Sequence, residues 1–177
     1  NVKKFINFSS MWENYNGVKD NVFNLYSVYK KSFSFIISFY KKLDLKTKFY
    51  NLNISDTFGK NDKRNKLINT LRLNFKKNKI TNVISKKLYI NLVNVADITN
   101  CVNLIINKTI KPGNYSLVNS KNYLILDIIV SHRKINKKKI KIKWLSNKII
   151  KEKIYMYKKV SGWKLNYSNL DSIIDII

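Results

Sequence analysis

The side chains best placed to do chemistry in this chain are amides and cations. Thr99, Asn100, Asn103 and Asn107 recur along one side of a helical stretch, with Lys108 and Lys111 at its end. Asn114, Asn119 and Lys121 come next, and then Arg133, Lys134, Lys137, Lys138, Lys139, Lys141 and Lys143. Amides offer donors and acceptors to a sugar–phosphate surface, and lysine ammonium groups suit phosphate oxygens without reading bases. The 35 basic and 10 acidic residues give a formal charge of +25. Such a chain adsorbs to polyanions, and nucleic acid is the natural one, because each neutralised phosphate releases counterions. A membrane surface is the next candidate, but it usually recruits one basic amphipathic helix and not a chain basic throughout.

Other chemistry finds little material. The single Cys101 excludes an internal disulfide and a cysteine-cluster zinc site, and the single His132 removes most metal and acid–base chemistry. Two glutamates, Glu13 and Glu152, and eight aspartates show no paired spacing for acid–base work, and the four glycines form no phosphate-cradling loop. The expectation is therefore a chain that is not an enzyme, with no cofactor, no metal and no small-molecule substrate. Hydrophobic content of 45% argues for a packed core. The longest apolar run, 33–40, is far short of the ~20 residues of a membrane-spanning helix. With 26 Asn, 32 Lys and 25 Ile but one alanine (Ala96) and no glutamine, the vocabulary is that of AT-rich codons. An organellar gene is the simplest source, a nuclear gene of an AT-rich organism the other.

The elements that must position these residues follow from periodicity. Residues 1–84 read as mostly helical, with helical stripes through Phe23, Tyr26, Phe33, Ile37 and Tyr40 and through Leu67, Ile68, Leu71 and Phe75, and a loop over 54–65 between them. Leu88, Leu92 and Val95 predict a short helix over 85–95, with Asp97 as N-cap of a second helix through Ile98, Val102, Ile105 and Ile106. Cys101 falls on its core face. Pro112-Gly113 predicts a type II turn joining a hairpin, and Asp127–Val130 a further strand. Lys139–Trp144 alternates as a strand, 147–157 has helical spacing, and Trp163, Leu165 and Tyr167 alternate again before an apolar tail.

The run CVNLIINKTIKPGNYSLVNSKNYLILDIIV (101–130) resembles the universal small-subunit ribosomal protein four, the S-four family, through Asn107, Ile110, Val118-Asn119, Tyr123 and Asp127-Ile128-Ile129. GWKLNYSNLDSIIDII (162–177) is similar to the family's closing segment. The family's Gly before Asp127 is here Leu126, and its Arg-Leu-Asp start has become Ser85-Lys86-Lys87.

The resemblance implies an α+β fold: a mostly helical N-terminal region (1–84), an S-four-type RNA-binding module of two helices, a β-hairpin and short strands (85–130), and a basic C-terminal extension (131–177). It implies a structural constituent of a mitochondrial small ribosomal subunit, whose partners are small-subunit rRNA and neighbouring ribosomal proteins, with no membrane. Another organellar ribosomal protein, or an RNA-processing factor carrying the same module, are the alternatives.

Overall fold

A computed structural model describes residues 2–43 and 46–177. The first half of the chain runs through strand β1 (Lys4–Ser10), a 3-10 segment (Met11–Gly17) kinked at Asn14, Tyr15 and Asn16, helix α1 (Leu25–Lys42), β2 (Lys48–Ile54), β3 (Asp56–Phe58), α2 (Leu67–Lys76) and β4 (Thr81–Val83). It continues through β5 (Leu88–Ile90), β6 (Leu92–Asn94), α3 (Val95–Asn107), β7 (Gly113–Leu117), β8 (Tyr123–Leu124) and α4 (Ile125–Asn136). The last elements are β9 (Ile142–Trp144), β10 (Ile150–Lys151) and a short α5 (Leu170–Ile174).

These elements divide into two discontinuous units. The first takes the residues up to Ser55, Ile98–Val118 and Glu152–Lys164; the second takes Asp56–Asp97, Asn119–Lys151 and Leu165–Ile177.

The first unit is built on a parallel sheet of order β1-β2-β7, with Phe5 opposite Phe49, Ser10 opposite Ile54, and Ile54 opposite Leu117. Parallel neighbours need a crossover, and α1 supplies it between β1 and β2. The middle strand is buried from Phe49 through Ile54, as expected of a parallel strand covered on both faces. Asn24 caps α1: its side chain accepts from Ser27 N (2.9 Å), while Ser27 Oγ accepts from Asn24 N (2.9 Å). Lys4 Nζ donates to the carbonyls of Ile105 (2.6 Å) and Ile106 (2.8 Å), which satisfies the end of α3.

The second unit has short strand pairs, β3 with β6 and β4 with β9 in parallel, and β5 between β10 and β8. Its core gathers Phe58, Ile68, Leu71, Val83, Leu92, Ile125, Ile128, Ile140 and Ile173.

The expected S-four architecture is corrected here. Residues 2–84 hold α1 and α2, close to where the apolar stripes put them, but also β1, β2, β3 and β4, so this region is not mostly helical. The stretch predicted as a helix over 85–95 is the strand pair β5 and β6, and α3 already starts at Val95. Asp97 is therefore not its N-cap but lies in the first turn, where its buried carboxylate accepts from the backbone N–H groups of Asn166 (2.9 Å) and Tyr167 (3.1 Å).

No hairpin forms at Pro112-Gly113. Gly113, at φ 151°, opens β7, which pairs in parallel with β2. Asp127–Val130 lies in α4, where Ile125, Ile128 and His132 are buried at helical spacing. The β-branched run had favoured a strand by propensity, and burial of one helical stripe overrides it. Residues 147–157 form no helix and contain only β10, while Trp163–Tyr167 form no strand.

Candidate functional site

In open parallel α/β sheets ligands bind beyond the carboxyl ends of the strands. In the first unit β1 ends on Ser9 and Ser10, and the 3-10 segment and α1 follow directly. Both serines are buried, and Ser9 Oγ has no hydrogen-bond partner. Ser10 Oγ accepts from Trp12 N (3.2 Å), and a hydroxyl in that role still has its proton to donate.

On α1, Tyr26 and Lys30 are four residues apart and share one face. Lys30 Nζ donates to the carbonyl of Phe8 (2.7 Å), which ties that face of the helix to the last residues of β1. The same ammonium stands 5.9 Å from the centre of the Tyr26 ring. The Tyr26 side chain is 51% exposed, so its ring is held yet open to solvent. Trp12 meets it edge-on at 6.2 Å and meets Phe23 at 5.6 Å, and Phe23 stacks on Tyr15 at 4.4 Å.

A phenol and an ammonium group thus stand at the strand end that the Ser10 hydroxyl closes. This set can pass a proton to or from an alcohol and stabilise the charge that develops. Glu13, on the 3-10 segment, is 1% exposed, and burial pushes its carboxyl up to about 7 against the pull of Ser34 and Lys31.

The residues expected to bind RNA fall in both units. Thr99, Asn103, Asn107, Lys108, Lys111 and Asn114 are exposed in the first unit, with Asn100 half-buried. Lys121, Arg133, Lys134, Lys137, Lys138, Lys139, Lys141 and Lys143 are exposed in the second. Lys138, Lys139 and Lys141 line a shallow cleft there with Lys76 and Lys79. Asn119 is buried: its amide donates to the carbonyl of Ser168 (2.7 Å) and its backbone N–H to Asn91 Oδ1 (2.8 Å), so it holds a loop in place. Tyr123 Oη donates to the same Ser168 carbonyl (2.7 Å).

Cys101 is a core residue whose thiol burial pushes up to about 12, which withholds the thiolate a nucleophile needs. Burial also lowers His132, which packs edge-on against Phe75 at 4.6 Å. Among the described residues no group of three or more His, Cys, Asp and Glu is placed to hold a metal.

Sequence reasoning missed Ser10, Tyr26 and Lys30. Their only signal is a Tyr and a Lys four apart on a predicted helix, where Tyr26 also falls in the apolar stripe.

No known family profile and no curated protein sequence matches the chain. Solved structures do resemble it. The UDP-N-acetylglucosamine 4-epimerase of Methanobrevibacter ruminantium, in complex with UDP-N-acetylmuramic acid, is 14% identical with a TM-score of 0.79, over 99% of this chain and 63% of that one. The UDP-glucuronic acid 4-epimerase of Bacillus cereus, in complex with UDP-glucuronic acid and NAD, is 16% identical with a TM-score of 0.77, over 99% of this chain and 62% of that one. The dTDP-glucose 4,6-dehydratase of Bacillus anthracis, in complex with NAD, is 15% identical with a TM-score of 0.75, over 98% of this chain and 61% of that one. The chain thus spans less than two thirds of the length of these structures.

At such identity the likeness establishes the fold, a Rossmann-like α/β arrangement with parallel strands, and overturns the S-four resemblance. The expectations built on that resemblance fall with it: a ribosomal constituent, a chain that is not an enzyme, rRNA and ribosomal proteins as partners, and no small-molecule substrate. The RNA-processing alternative has no support either. The three structures named here are sugar-nucleotide epimerases and a dehydratase in complex with a UDP-sugar, NAD or both.

Proposed function

We propose that this chain is part of a sugar-nucleotide-modifying enzyme of the epimerase or dehydratase kind, and that Ser10, Tyr26 and Lys30 are its proton-transfer group. The observation that carries the reading is the Lys30 hydrogen bond to the Phe8 carbonyl (2.7 Å), which brings a phenol and an ammonium group to the carboxyl end of β1. Tyr26 is placed to take the proton of a sugar hydroxyl and to return it to the same oxygen. The Lys30 charge stabilises the oxygen on which negative charge accumulates, and Ser10 donates a hydrogen bond to the reacting sugar oxygen. Trp12 supplies a flat apolar wall beside the phenol, of the kind a pyranose ring can lie against.

NAD, present in several of the similar structures, is the group that oxidation of a sugar carbon calls for. The described residues do not fit its pyrophosphate. Gly17, Gly59, Gly113 and Gly162 stand singly, and the link from β1 to α1 contains only Gly17. The chemistry assigned to this chain therefore stops at the sugar hydroxyl.

The test is turnover of UDP-glucose and UDP-glucuronic acid by the full-length gene product supplied with NAD. Tyr26→Phe is expected to lower kcat by about 10²–10⁴-fold, the range of a positioned acid–base group, with little change in KM. Full activity in Tyr26→Phe, or no conversion by the wild type, would sink the proposal.

A further inference from the structure

A line of buried polar groups leads from the sheet to the proposed site, and the mechanism does not use it. Asn7 Nδ2 donates to Asn51 Oδ1 (2.6 Å), joining β1 to β2. Asn51 Nδ2 donates to Ser34 Oγ (3.2 Å), joining β2 to α1. Ser34 Oγ donates to the two carboxylate oxygens of Glu13 (3.1 and 2.9 Å), joining α1 to the 3-10 segment. Asn7, Asn51 and Glu13 are all buried.

Ser34 lies one turn beyond Lys30 and two turns beyond Tyr26, on the same helical face. Glu13 lies three residues after Ser10. The line thus ends on a carboxyl group attached, through one helix and one short segment, to all three members of the site.

A buried carboxyl is costly to ionise, and Glu13 has few groups to offset that cost. The Ser34 hydroxyl and the Ser10 backbone amide donate to it, and the charges facing it are those of Lys31 and Lys30 on α1. Lys31 is itself paired with Asp20. From β2 the neutral Asn51 donates to Ser34, the residue that donates to Glu13. Burial outweighs these groups, so the carboxyl changes charge at about neutral pH.

We propose that Glu13 is a positioning residue of the site: its bond to Ser34 holds α1 against the 3-10 segment, and the gain or loss of its proton moves Tyr26 and Lys30 relative to Ser10. Ionised, Glu13 attracts the ammonium groups of Lys30 and Lys31; protonated, it leaves Lys30 to the Phe8 carbonyl alone. The inference rests on the proton-transfer reading above, but its test needs no substrate.

Glu13 and Glu152 are the chain's only glutamates, so selective carboxyl labelling gives two NMR signals, and Glu13→Gln removes one. Tyrosine ring labelling, with Tyr26→Phe for assignment, supplies the second probe. The Glu13 signal is expected to titrate near neutral pH, and the Tyr26 ring signal to move with the same midpoint. That Tyr26 step should vanish in Glu13→Gln. In Ser34→Ala the Glu13 midpoint should rise, because a bond favouring the ionised form is gone, and the Tyr26 step should shrink. Ser34→Ala leaves the carboxyl in place, so it decides the matter if Glu13→Gln does not fold. A Tyr26 signal that stays flat while Glu13 titrates, or a step that survives in Glu13→Gln, overturns the proposal. Activity retained in Tyr26→Phe would instead count against the functional reading and leave this coupling standing.

Discussion

Lys30 and Glu13 show how single residues hold this site together. Lys30 fixes α1 to a backbone carbonyl, whereas Glu13 fixes it through a group that titrates. Glu13 has a native value of about 7 against an ordinary 4.5, so between those values the folded chain holds a proton that the unfolded chain has lost. Its contribution to stability is full below the ordinary value and disappears as pH rises through the native one, a span of ~3 kcal/mol. His132 works in the opposite sense: lowered by burial, it costs the fold stability as pH falls below the ordinary histidine value. The difference between wild type and Glu13→Gln isolates the carboxyl. Urea midpoints measured from mildly acidic to neutral pH should fall for the wild type relative to Glu13→Gln, and parallel curves would refute the assignment.

Among the elements, α1 depends most on local chemistry. The reciprocal bonds between Asn24 and Ser27 close its first turn, and Asn24→Ala should cost about 1 kcal/mol, read as a lowered Tm in thermal unfolding. The helix was legible in the sequence because apolar residues recur at its period from Phe23 to Tyr40, and α2 was legible for the same reason. The sheet was not. β1 pairs with a strand 44 residues away and β2 with one some 60 further on, so no turn residue announces either pairing. Pro112-Gly113 has the chemistry of a hairpin turn and is instead the entry to a parallel strand. In a chain so rich in Ile, Asn and Lys, the spacing Leu88, Leu92, Val95 suits a helix and two short strands equally well. The site shared this fate. Tyr26 and Lys30 stand four apart on a legible helix, but nothing in the sequence ties that helix to the end of β1, which the Lys30 bond to Phe8 does.

Across the whole molecule, the notable feature is how its two units share the chain. Each is assembled from three separated stretches, and the last of these, Glu152–Lys164 and Leu165–Ile177, lie side by side at the end. The first unit gains from its late stretch the carbonyl of Lys158, which accepts from Ser116 N (3.1 Å) beside β7. The second gains Ile173, which enters its core. Neither can finish while the ribosome is still adding residues before position 152, however early β1 and β2 emerge. A stop codon at that position would therefore remove neither unit cleanly but leave both incomplete, so this chain tolerates shortening far less than one whose parts follow one another in sequence.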